Sequence, residues 1–228
     1  MPKPLKNSEI QDRLHEYARN NYLFLGNVTK GVVLAIATQV LLQIVGDFQA
    51  EWVRLMPWLA SFIGIVVTYV TWDIGTLLSN ARTNTLDSVL PLSMGVAEFL
   101  LFGILWKIDQ SKLWLNWLIC SGTHSLIGGL IVHNRIRITD FHADFVDPKM
   151  SKIYEAWLLR CRGGAFFLAG ATYVLWLAQK WLEAGRIFQF VCGIPISLIL
   201  TKIILDTTTM KRRVDEHAMM KESKAAGA

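Results

Sequence analysis

Long apolar runs alternate with short polar breaks along most of the chain, and a window of about 19 residues separates six of them. They fall at 28–46, 55–78, 86–106, 112–132, 163–182 and 187–205. Each is near the ~20 residues that carry a helix across ~30 Å of hydrocarbon. Backbone amides in lipid must pair within their own segment, so repeated runs of this length predict helices rather than open strands. The expected fold is all-α: a polytopic bundle of six transmembrane helices with short outer loops.

Polar sequence frames the runs. Residues 1–27 are densely charged and contain no apolar stretch ending in a small-residue cleavage site, so they do not read as a cleavable signal peptide. Ser8 and Gln11 have capping-box spacing, and Ile10, Leu14 and Tyr17 share a face, which predicts a cytoplasmic amphipathic segment. A connection at 133–162 and a polar tail at 206–228 complete the plan.

Composition supports the membrane reading. Hydrophobic residues make up 53% of the 228 and charged ones 18%, against about 45–50% and about 25% in soluble domains. The surplus apolar surface needs lipid, so the expected main partner is the bilayer of a plasma membrane or bacterial inner membrane. With the N-terminus inside, 17 of the 23 Lys and Arg residues fall on the cytoplasmic side, the side on which positive residues are retained. Both termini are then cytoplasmic. Trp52, Trp58, Trp106, Trp114, Trp176 and Trp181 cluster at the opposite ends of the spans, with Trp117 a turn deeper, as an interfacial belt would. The net charge of +5 suits anionic headgroups and requires no nucleic acid. Cys120, Cys161 and Cys192 form no CxxC, so neither a disulfide framework nor a zinc site is expected.

Polar residues inside the runs are the candidate chemistry. Counted at ~1.5 Å per residue from the cytoplasmic end, Glu98 lies roughly 17 Å deep, Gln39 at about the same level and His124 about 12 Å deep. Asp73 and Lys202 lie about 7 Å deep by the same count, and Lys202 can pair with Asp206 four residues on. Helical spacing places Asp87, Pro91, Met94, Glu98 and Phe102 on one face, and Tyr69, Asp73, Thr76 and Asn80 on another. Ionisable groups cost about 2.5–3.5 kcal/mol each at a helix centre and therefore face a bundle interior or a wet cavity. Glu98, His124, Asp73, Asp87, Gln39, Lys202 and Asp206 form the expected ion pathway, with Asn80, Arg82 and Asn84 at its inner rim. Interhelical hydrogen bonding alone would also account for some of these residues, Gln39 above all.

Pro91 and Pro195 each remove a backbone donor and can open a helix, as in transporters built on broken spans. GGAFFLAGA at 163–171, and Ala60 with Gly64, are spaced for close helix approach within or between protomers. In the 133–162 connection, His142 and Asp144 are weak metal candidates, because HxD is far less specific than HExxH. SGTHS at 121–125 flanks His124 with hydroxyls, but no GxSxG elbow points to an enzyme. No cofactor is expected. Two readings remain at this level. One is a small channel or transporter for a cation or protons; the other is a non-conducting subunit acting on a membrane-protein partner through its cytoplasmic loop and tail.

Overall fold

A computed structural model describes residues 7–78, 85–107, 110–139, 148–182 and 186–226. Among them there is no strand. The elements are α1 (Asn7–Gly46), a single-turn α2 (Phe48–Glu51) continued by a 3-10 turn (Trp52–Arg54), α3 (Leu55–Leu78), α4 (Thr85–Lys107), α5 (Gln110–Ile138), α6 (Pro148–Leu182) and α7 (Arg186–Ala226).

Among the described residues five segments are long and apolar enough to cross a membrane: Gly26–Gly46, Phe48–Thr71, Lys112–Arg137, Lys149–Gln179 and Gly193–Arg213. α4 contributes a shorter apolar stretch, Leu92–Trp106. This architecture is compatible with a multi-pass membrane protein.

Contacts between helices fix their directions. Trp58 meets Ala37 while Tyr69 meets Lys30, so α1 and α3 are antiparallel. Glu98 opposite His124 and Met94 beside Gly128 make α4 and α5 antiparallel. Gly122 against Thr172 and His133 against Arg162 do the same for α5 and α6. Met56 beside Gly193, and Ile74 in one cluster with Met210 further along both helices, make α3 and α7 parallel. The bundle is thus up-and-down, and the start of α1, the start of α6 and the end of α7 leave it from one end. α3 is central, touching α1, α4, α5 and α7.

α1 and α7 have 40 and 41 residues, so each is about 60 Å long, twice the hydrocarbon thickness. The charged N-terminal segment is consequently not a separate element: it continues the first apolar helix without a break. Pro91 and Pro195 likewise interrupt neither α4 nor α7.

Two apolar cores are stacked along the bundle. The larger, at the end holding the α1–α3 turn, is built on Val40, Ile44, Phe102, Leu105, Trp114 and Trp117. The smaller, at the opposite end, holds Ile74, Met150, Tyr154, Trp157, Leu158 and Met210. The expected tryptophan belt is corrected here. Trp114 and Trp117 are fully buried inside the bundle, where a large ring removes most apolar area from its surroundings and needs a partner for its N–H. Trp117 finds it in Ser61 Oγ, 2.9 Å away, and Trp58 donates to the Ala37 carbonyl at 2.8 Å.

Close helix approach involves only part of GGAFFLAGA: a Cβ at Gly163 or Gly170 would meet nothing within 4 Å, whereas at Gly164 it would lie 3.3 Å from Ile203 Cδ1 on α7. At Gly122 it would lie 2.8 Å from Thr172 Oγ1, and at Gly95 2.8 Å from Thr29 Cγ2. These two glycines set the α5–α6 and α1–α4 spacing.

Candidate functional site

Between the two apolar cores the bundle holds a small polar layer. α4 turns Met94, Ala97, Glu98, Leu101, Phe102 and Leu105 inward, the i, i+3, i+4, i+7 stripe of a helix packed on one side. That stripe carries Glu98 into the interior, where it is 2% exposed. His124, on α5, is 8% exposed. Its Nε2 lies 3.8 Å from Glu98 Oε1, too far for a hydrogen bond. Among the described residues neither atom has a hydrogen-bond partner.

The other carboxylate oxygen is satisfied. Tyr69, on α3, donates its hydroxyl to Glu98 Oε2 at 3.1 Å. The face of the same ring carries the Lys30 ammonium 4.6 Å from its centroid, a cation–π contact that brings positive charge from α1 to the edge of the cluster. His124 also borders a cavity of about 20 Å³ whose polar wall is Ser61, Ser121, His124 and Ser125, with Gly64, Ala60 and aliphatic side chains lining the rest. That volume holds one water molecule.

Chemically, the site offers one carboxylate, one imidazole and one phenol in a dry setting. Two unpaired buried atoms that face each other cost free energy, and removing either partner leaves the other charge or dipole uncompensated. Carboxyl and imidazole side chains are the groups that most often exchange protons in general acid–base chemistry.

The other expected pathway residues are not gathered here. Gln39 is exposed: the buried stripe of α1 is Val33, Ala37, Val40 and Ile44, and Gln39 falls on the opposite side. Equal depth with Glu98 therefore does not bring it into contact, and it drops out of the cluster. Lys202 and Asp206 are exposed for the same reason, since α7 packs through Gly193, Ile196, Thr207 and Met210. Asp73 on α3 and Asp87 on α4 are described by backbone alone. Asn80, Arg82, Asn84, His142 and Asp144 lie outside the described residues. No group of three or more His, Cys, Asp or Glu that could hold a metal occurs among the described residues.

Sequence reasoning missed Tyr69 and the cavity serines. Tyr69 was legible as sharing a face with Asp73, and Ser121 and Ser125 as the two ends of SGTHS. At i−3 and i+1 from His124 they border one space with it, although neighbouring side chains of a helix diverge. Compared with protein-family models, curated proteins and solved structures, the chain matches none.

Proposed function

We propose that this chain is a multi-pass membrane transporter or channel for a proton or small cation, with both termini cytoplasmic and Glu98 and His124 as its mid-membrane binding pair. The observation that carries this reading is the burial of Glu98 with one oxygen unpaired and aimed at the unpaired Nε2 of His124. An apolar residue there would avoid a cost of about 2.5–3.5 kcal/mol, and a buried oxygen left without a hydrogen-bond partner calls for an explanation such as an exchanging proton or ion.

The apolar core built on Leu105, Trp114 and Trp117 lies between this pair and the end of the bundle holding the α1–α3 turn. That plug favours a carrier that exposes the site alternately, or a gated pore, over an open channel. Reconstituted protein should transport protons or a common monovalent cation faster than protein-free vesicles. Flux equal to that of empty vesicles for every ion would overturn the proposal.

The second reading, a non-conducting subunit, draws its support from the helical extensions that leave one end of the bundle. Arg137, Arg212 and Arg213 are exposed there and offer positive charge to a partner. Under this reading charge reversal at Arg137 removes function while Glu98→Gln is silent.

A further inference from the structure

We infer that the cargo of this site is a proton and not a metal ion, and that the proton leaves His124 through the serine-lined cavity. This inference rests on the transport reading above.

The donor set is too small for a metal. Among the described residues Glu98 Oε1 faces only the His124 imidazole, at 3.8 Å, and Glu98 Oε2 is engaged by the Tyr69 hydroxyl. Hard cations require about six or more oxygen ligands and zinc about four, and a dehydrated ion lacking them loses most of its hydration free energy. A proton needs one lone pair.

The cavity makes the same distinction by size. At about 20 Å³ it accepts one water and no hydrated ion. Three hydroxyls, from Ser61, Ser121 and Ser125, give that water the two to four polar partners that make a buried position favourable. Ser61 is held in turn by the Trp117 indole N–H, which leaves its own hydroxyl hydrogen available to the cavity.

The transfer balances without a co-reactant. A proton bound at Glu98 Oε1 passes to the Nε2 lone pair of His124, breaking the carboxyl O–H bond and forming an imidazole N–H bond. The products are a carboxylate and an imidazolium. The imidazolium releases its second ring proton to the cavity water, giving hydronium and a neutral ring, and exchange of that ring's tautomer resets it. Among the described residues, the titratable and charged groups around the pair are Lys30 from α1, Tyr69 from α3, Glu98 from α4 and His124 from α5. Described residues of α6 and α7 contribute only Leu168, Ile196 and Leu200 to the cavity wall.

The test uses the full chain in liposomes carrying an internal pH dye, with parallel uptake of radioactive sodium and rubidium. Gly64→Ala adds a methyl group at the cavity edge at an ordinary 3.8 Å from His124 Cε1, leaving Glu98, His124 and the fold in place. Wild type is expected to pass protons and neither metal ion. Gly64→Ala, and separately the double variant Ser121→Ala with Ser125→Ala, should slow proton entry by about tenfold or more, because transfer requires direct contact or a single bridging water. Their unchanged thermal unfolding in detergent would show that the loss is not misfolding. Metal-ion uptake that disappears in Glu98→Gln, with no proton flux, would overturn the proton assignment while sustaining the transport reading. Proton flux untouched by both cavity changes would overturn the exit route, and absence of flux of any kind would overturn the transport reading itself.

Discussion

Glu98 on α4 and His124 on α5 face each other across 3.8 Å in the interior of the bundle, each with its facing atom unpaired. Tyr69 fixes the carboxylate from the other side. The pair is thus positioned by three helices, and the consequences of disturbing each support differ.

Tyr69→Phe keeps the ring under Lys30 and removes only the hydroxyl that donates to Glu98 Oε2 at 3.1 Å. Loss of a hydrogen bond to a buried carboxylate should cost about 1.5–3 kcal/mol. A lowered unfolding midpoint in detergent, together with altered pH dependence of flux, is the expected outcome.

Ser61→Ala strands the buried indole N–H of Trp117, which donates to the serine at 2.9 Å. An unsatisfied buried donor costs about 1–3 kcal/mol. Thermal unfolding should report that loss, and adding Trp117→Phe, which removes the stranded donor, should recover part of it.

Gly122→Ala drives a methyl group to 2.8 Å from Thr172 Oγ1 and should destabilise the α5–α6 pair by about 1–3 kcal/mol, as overpacking does. Gly163→Ala, exposed on α6 and facing open space, should be neutral or stabilise by up to about 1 kcal/mol through helix propensity. Comparing the two variants' unfolding midpoints separates true close approach from mere glycine content.

Gln39→Leu should leave flux and its pH dependence unchanged, because Gln39 is exposed on the outward side of α1. A flux defect measured for this variant would place the amide in the pathway after all.

Much of this organisation was legible in the sequence. Apolar run length alone predicts the helices, because lipid leaves the backbone no other way to pair. Glu98 and His124 were readable as a mid-depth pair, since rise per residue gives depth directly. Rotation about the helix axis was harder to read. Gln39 and Lys202 have suitable depths but face outward, and this follows only from the neighbours that α1 and α7 select. The tryptophans at 114 and 117 show a similar ambiguity: a residue near a span's end can face headgroups or core, and only the packing of the neighbouring helices, which buries both rings, decides. The glycines of α5 at 122 and 129 mark the α5–α6 approach, while of the glycines in 163–171 only Gly164 meets another helix, because a small residue matters only where another helix arrives.

The central claim is that Glu98 is the group that takes up and gives up the transported ion. Its most direct test is the initial rate of flux into proteoliposomes for Glu98→Gln, which retains side-chain size and an acceptor for Tyr69 but removes the titratable proton. The expected result is flux indistinguishable from that of empty vesicles at every pH between about 5 and about 8, with expression and unfolding temperature at or above those of wild type. Wild-type flux with wild-type pH dependence in this variant would contradict the account.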